Sequence, residues 1–453
     1  MKVRRGAQAR QLLTGRRNPM WSFWGYVDDR TAEPDRWIAA EHANLNSRGP
    51  LIESVPNWRR DGKTATVDGS PGHGISDLER NAALDGLRAV AIGLVVAFHC
   101  NRAVAPGGFV GVDIFFALSG FLITSMLWAE RASTGTIAFG RFYLRRAIRL
   151  WPALVLSLAA YLAVAPIVFP HSAAVRNAFL AGLYLSDYSR AFWGVPRVEL
   201  NHTWSLSVEA HFYLLWPAVI LLLARFAGRR AFFVLIMAFL AATLWRIIDL
   251  GLGLDFWRTY YRFDTRMSGL ILGGAVAVLP WRPTSAWAES LGIAGLCAIA
   301  LSLATLQWQT ATPLTIGGIL VDLASACIVL ALAGPAKTVV AWMLSLRPVV
   351  YIGRISYSIY LWHYPIIIAL RAGPTASLSW WASLIVVAAS ITIAALSYRF
   401  IEKPLISVGR SFYMRSKEGR SDERQPSEGF QGSTSDLIRW RPRKPYSLRR
   451  RAR

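Results

Sequence analysis

The chain has 453 residues, of which 54% are Ala, Val, Ile, Leu, Met, Phe, Trp, Tyr or Cys and only 17% are charged, with a mean hydropathy of +0.34. Soluble globular domains run nearer one quarter charged, and disordered or nucleic-acid-binding basic segments do not carry 19 Trp, 21 Phe and 15 Tyr beside long uncharged runs, so a membrane protein is the class left. The formal charge of +23 would suit a nucleic-acid surface as well as a membrane one, and its placement decides between them.

Residues 1–78 mix Arg, Asp, Gly, Pro and Asn without sustained periodicity, which predicts a flexible cytoplasmic extension. Its basic start is followed by polar, Trp-bearing sequence, unlike the apolar core of a cleavable signal peptide. The membrane domain occupies 79–403. From about Leu84, ten stretches with few or no charges follow, each near the length that crosses a hydrocarbon core of roughly 30 Å. They run 84–101, 109–128, 149–170, 203–225, 231–249, 265–280, 286–306, 313–333, 349–370 and 379–401. A shorter stretch at 174–188 carries Arg176 and Asp187 and reads as an external loop or re-entrant piece. Residues 404–453 are expected to form a basic, disordered cytoplasmic tail.

The positive-inside rule tests this count, because a wrong number of spans would scatter Arg and Lys onto both faces. With the N-terminus inside, the cytoplasmic loops collect Arg131, Arg141, Arg145, Arg146 and Arg149, then Arg225, Arg229 and Arg230, then Arg282, then Lys337 and Arg347. The external loops are sparser or balanced. The expected fold is therefore an all-α integral membrane bundle of about ten transmembrane helices with both termini cytoplasmic. A basic tail is drawn to anionic cytoplasmic lipid at about 1 kcal/mol per residue near the surface, so the lipid bilayer, and no nucleic acid, is its partner. Cys100, Cys297 and Cys327 lie in or beside apolar runs and offer neither a disulfide framework nor a thiolate metal cluster.

Ionisable groups within spans are costly and therefore functional suspects. They are Arg88, His99, Asp113, Glu209, His211, Arg266, Asp322, Arg354 and His363. Counted at about 1.5 Å per residue, His99 lies about 22 Å and His363 about 20 Å from the cytoplasmic side, with Asp113 about 6 Å and Glu209 about 9 Å in from outside. All four fall in the outer third. A carboxylate beside imidazole orients the ring and stabilises its protonated form, which suits general-base action on a hydroxyl. The same groups would also serve as an interhelical hydrogen-bond network that only holds the bundle together, and no metal-ligand motif accompanies them. At the cytoplasmic entrance to the third stretch, FYLRRAIRLWP sets Arg146 and Arg149 three apart, and Arg88 enters the first stretch at a similar level. Such arginines suit phosphate contacts or lipid headgroups. From Arg88 to His99 is about 16 Å of helix, a distance a pantetheine arm could bridge. Asp322 is an isolated carboxylate, a candidate for pairing or gating.

With these residues in hand, the chain resembles the acyltransferase family 3 of integral membrane proteins, which acylate sugars and other hydroxyl acceptors at bacterial surfaces. The segments that carry the resemblance are LDGLRAVAIGLVVAFH (84–99), GGFVGVDIFFALSGFLIT (107–124), FYLRRAIRLWP (142–152), HTWSLSVEAHFYLLWP (202–217), IGRISYSIYLWHYP (352–365) and SYRFIEKPL (397–405). The resemblance implies ten spans across the bacterial cytoplasmic membrane with both ends in the cytoplasm. It also implies acyl-CoA, here acetyl-CoA, as a donor substrate and not a permanently bound cofactor, and a carbohydrate or other hydroxyl acceptor reached from the far side. It points to His99 as the catalytic histidine, to Arg88, Arg146 and Arg149 as donor-side residues, and to Glu209 and Asp113 as motif acids. His363, Ser119 and Tyr357 in the matching segments are further candidates. Two features depart from the family pattern: the 80 or so residues that precede it, and a C-terminal stretch too short for the hydrolase-like domain of larger members.

The expected activity is O-acyl transfer with His99 as general base and Asp113 or Glu209 orienting it. A polytopic transporter is the alternative, since proton relays use the same groups, although no internal repeat relates the two halves. In the external segment 170–202, Tyr188, Arg190 and Trp193 are candidates for sugar contact or interfacial anchoring. The sequence sets neither acceptor, acyl length nor oligomeric state.

Overall fold

The computed structural model describes residues 81–408 apart from 196–198, 254, 335–336, 372–376 and the side chain of Arg229. The expected extension at 1–78 and the tail beyond 408 lie outside the described residues. Helix α1 (Ala82–Cys100) begins where Asn81 caps it: the side-chain oxygen accepts from the Ala83 and Leu84 amides at 3.1 and 3.3 Å, and Nδ2 donates to the Leu332 carbonyl at 2.6 Å. Helix α2 (Gly111–Thr134) stops at Gly135, whose φ of 77° a side chain would resist. Helix α3 (Phe139–Val168) contains Pro152 and Pro166. Two short helices, α4 (Ala174–Gly182) and α5 (Ser186–Phe192), lead to α6 (Trp204–Phe226) and α7 (Ala231–Gly251). Three short pieces follow, α8 (Phe256–Tyr261), α9 (Phe263–Arg266) and α10 (Ser268–Val278), and then α11 (Ser285–Thr305) and α12 (Ile316–Leu332). Helices α13 (Val339–Leu344), α14 (Arg347–Arg354), α15 (Ser356–Leu370) and α16 (Trp380–Ser397) complete the bundle, α16 running into a π-helical turn at Tyr398–Glu402.

All ten apolar stretches are helical, but not all are single rods. Among the described residues, seven helices are long and apolar enough to cross a membrane. The sixth stretch breaks at Met267 and leaves α10 with 11 residues, the eighth gives α12 with 17, and the ninth divides at Ile355 into 8 and 15. Polar residues sit at both breaks, with Arg266 and Ser268 bonded to Asp113 and Asp322, and Arg354 to Asp85. The stretch at 174–188 is not free: the Ser186 amide donates to Ser207 Oγ at 3.1 Å, which packs it against α6.

Helix α2 is the axis. In its most apolar window 89% of residues are buried, against 28% for α3 and α11 and 22% for α16, so those helices form an outer ring that turns side chains such as Leu384 and Ile385 to lipid. The α2–α10 contact is backbone on backbone, because a Cβ at Gly120 would lie 1.9 Å from the Leu270 carbonyl oxygen and one at Gly273 would lie 2.0 Å from that of Ala117. Small residues are what permits such an approach between membrane helices.

Gly120→Ala is expected to destabilise the bundle by about 1–3 kcal/mol through overpacking, read as a lower melting midpoint in mild detergent. Gly93→Ala, where an added Cβ meets nothing within 4 Å, should leave that midpoint unchanged.

Candidate functional site

Three histidines from three elements meet in one layer: His99 in the last turn of α1, His202 in the turn that opens α6, and His363 within α15. All are buried. His99 Nδ1 and His363 Nε2 are 2.9 Å apart, and His363 Nδ1 is 2.6 Å from the Tyr360 carbonyl oxygen. The His202 ring lies 5.8 Å from that of His363, and Tyr364 packs at 5.0 Å from His99 and 5.2 Å from His202.

These distances fix the protons of the neutral rings. A carbonyl oxygen only accepts, so His363 Nδ1 must carry the hydrogen, its Nε2 is then a lone pair, and His99 Nδ1 must donate to it. His99 Nε2 is left with its lone pair, buried and without a hydrogen-bond partner among the described residues. That is the electronic state of a general base. The backbone is held as firmly as the ring, since the Arg371 guanidinium donates to the His99 carbonyl and the Tyr360 hydroxyl to that of His202. Pro365 removes the amide that would bond the Leu361 carbonyl, so that carbonyl has no intrahelical partner four residues on. His202 was not among the expected site residues because it precedes its apolar stretch. Its position heading HTWSLSVE was the available signal.

The second layer lies toward the other end of α1. Arg88, about 16 Å along the helix from His99, donates to Asp85 at 2.8 Å, and Arg354 holds the other Asp85 oxygen at 3.1 Å. From α3, Arg146 lies over the Phe142 and Tyr213 rings at 5.4 and 5.8 Å, and Arg149 is in the electrostatic field of Arg88 and Asp85. Glu209 accepts from Ser119 Oγ at 2.8 Å and faces Arg88 and Tyr213. Tyr357 donates to the Leu150 carbonyl at 2.9 Å, one residue beyond Arg149, which ties α15 to α3. Arg88, Ser119, Glu209 and Tyr357, all buried, therefore share one layer with the half-buried Arg146 and Arg149.

A third cluster is ionic. Arg266 donates to Asp113 at 2.7 Å, while Arg246 reaches Ser268 Oγ at 2.9 Å and Asp322 at 3.7 Å, and Ser268 donates to Asp322 at 2.7 Å. Two acids and two guanidiniums give no net charge. Arg266 also lies 4.7 Å from the Tyr260 ring and 5.9 Å from that of Trp204, so the cluster stands behind the aromatic wall at the start of α6. Of the four residues expected at one depth, the structure brings His99 and His363 together. Asp113 and Glu209 are bonded elsewhere, to a guanidinium and a hydroxyl, and Glu209 is seven residues, about 10 Å, past His202. Asp322 is a pairing residue. In the 170–202 segment, Arg190 is buried and donates to Asn201 and to the Ser186 and Leu200 carbonyls, so it braces the turn that carries His202, whereas Trp193 is exposed.

Residues 81–399 match a family described as "Acyltransferase domain". The chain is 33% identical over 360 residues to the peptidoglycan O-acetyltransferase OatA of Listeria monocytogenes, covering 74% of this chain and 57% of that one. It is 33% identical over 367 residues to the O-acetyltransferase OatA of Staphylococcus aureus, covering 74% and 59%. With the putative peptidoglycan O-acetyltransferase YrhL of Bacillus subtilis the identity is 32% over 365 residues, covering 73% and 56%. The chain thus spans less than two thirds of the length of these relatives. No solved structure matches.

Asp113→Ala leaves Arg266 as an uncompensated buried charge and should cost about 3–5 kcal/mol, read as lost monodisperse protein in mild detergent. Asp113→Ala combined with Arg266→Leu should recover much of that loss.

Proposed function

We propose that this chain, which belongs to the acyltransferase family matched over residues 81–399, moves an acetyl group from acetyl-CoA to a hydroxyl of a cell-surface saccharide. The named relatives make peptidoglycan the first acceptor to try. In this reading the chain crosses the bacterial cytoplasmic membrane ten times, with both ends inside.

The observation that carries the proposal is the buried lone pair on His99 Nε2, at the end of a hydrogen-bond relay and one helix length from a layer of arginines. Arg88, Arg146 and Arg149 hold the phosphates of the donor by charge-assisted bonds, and the pantetheine arm brings the thioester across about 16 Å to the histidines. His99 Nε2 takes the proton of the acceptor hydroxyl as its oxygen attacks the thioester carbonyl. The C–S bond breaks, the imidazolium returns the proton to the leaving sulfur, and the products are the ester and free CoA. His363 orients the ring and shares its charge, the part a carboxylate plays in a Ser-His-Asp triad. Glu209, held by Ser119, neutralises part of the arginine layer, Tyr357 fixes α3 against α15, and Asp113 acts through Arg266 on the Trp204 wall. A transporter would draw on the same buried charges, but the family match favours acyl transfer.

His99→Ala is expected to insert normally and to lose about 10²–10⁴-fold in transfer of labelled acetyl from acetyl-CoA to saccharide in reconstituted membranes. Wild-type transfer by that variant would overturn the assignment. Arg88→Ala should raise KM for acetyl-CoA more than it lowers kcat, since its contact is with the non-reacting end of the donor. Saccharide flipping without release of free CoA would identify a transporter instead.

A further inference from the structure

We propose that a lateral groove between α3 and α15 holds the alkyl chain of a membrane-anchored acceptor, so that the saccharide reaches His99 from within the lipid. The inference rests on the acetyl-transfer reading above. The groove encloses a cavity of about 190 Å³. One wall is α3 from Leu154 through Leu158 to Val168, about 21 Å of helix, and the other is the Trp362 and Ile366 side of α15. His202 and Thr203 line it as well, and the His202 ring stands between the groove and His363, 5.8 Å from it.

Three features select an apolar chain. The polar side chains along α3 already have partners: Ser157 Oγ donates to the Leu154 carbonyl at 2.8 Å, and the Tyr161 hydroxyl bonds Ser172 at 3.0 Å and Glu199 at 3.3 Å. The rest of the α3 wall is hydrocarbon, which favours a chain without polar groups along it, while His202 and Thr203 put polar atoms at one end. Val164, on the groove, is 47% exposed and Ile167 beside it is 84% exposed, so this side of α3 opens onto lipid. The groove is also longer than one leaflet of a roughly 30 Å core. An acetyl donor has no chain to place there, and its phosphates call for the arginines of the other layer. The chain is therefore the acceptor's, with its saccharide turned in past His202.

The test uses the full-length chain in phosphatidylcholine nanodiscs with labelled acetyl-CoA and methyl, octyl or dodecyl glycosides of N-acetylglucosamine. Acetylation of the dodecyl glycoside should exceed that of the methyl glycoside in kcat/KM by about ten-fold or more. Ala160→Trp and Val164→Trp, which fill the groove, should abolish that preference and leave turnover of the methyl glycoside unchanged. Partitioning into the disc concentrates any chain-bearing acceptor, so a preference that survives both substitutions overturns the groove. In parallel, an alkyl glycoside carrying a photoreactive diazirine on its chain should label α3 and α15 in the unsubstituted chain, in competition with dodecyl but not methyl glycoside. Labelling elsewhere, or labelling that dodecyl glycoside does not displace, also overturns it. Labelling as expected without acetyl transfer to any acceptor would keep the groove and defeat the acetyl-transfer reading.

Discussion

Two imidazoles 2.9 Å apart inside a protein cannot settle their protons with water, and everything else in the histidine layer follows from how they settle them. The Tyr360 carbonyl decides the matter, because it can accept from His363 Nδ1 and do nothing else. One acceptor on α15 thereby sets both tautomers and leaves the outermost nitrogen, on α1, electron-rich. The arrangement requires α1, α15 and the turn before α6 to be held in register. That is what the Arg371 contact to the His99 carbonyl, the Tyr360 contact to the His202 carbonyl and the Arg190 brace supply.

Charge organises the remainder of the bundle. Buried ions in a hydrocarbon setting must find partners within the protein, and here they do so in separate groups. The arginine layer keeps an excess of positive charge around Asp85 and Glu209, which suits it to an anionic guest. The Asp113–Arg266 and Arg246–Asp322 set sums to zero and lies behind aromatic rings, which suits it to support. The short, broken helices occur where these groups are anchored, at Arg266 and Ser268 and again at Arg354. At these two breaks the irregular backbone is tied to neighbouring helices through its own side chains.

Much of this was legible in the sequence. Hydropathy located ten helical stretches, and counting residues from their ends put His99 and His363 at one depth, where they do meet. The same counting failed for Asp113 and Glu209. Depth along a helix says nothing of the face a side chain occupies, and Arg266 and Ser119 lie nearer to them than the imidazoles do. Met267 and Ile355 interrupt helices beside polar residues, and the tertiary partners of Arg266, Ser268 and Arg354 hold the breaks inside the bundle. His202 escaped notice because it belongs to a loop by composition and to the core by position. Its surroundings depend on Arg190, which holds the neighbouring Asn201, and on Tyr360, and neither stands in a periodic relation to it.

The relay also has a blind end. A peptide carbonyl cannot take up a proton and hand it on, so a charge placed on His99 has no further station beyond Tyr360 and must leave by the nitrogen through which it came. An apolar interior can therefore tolerate this imidazole pair, since the chain of hydrogen bonds aims a ring without offering a proton any exit past Tyr360.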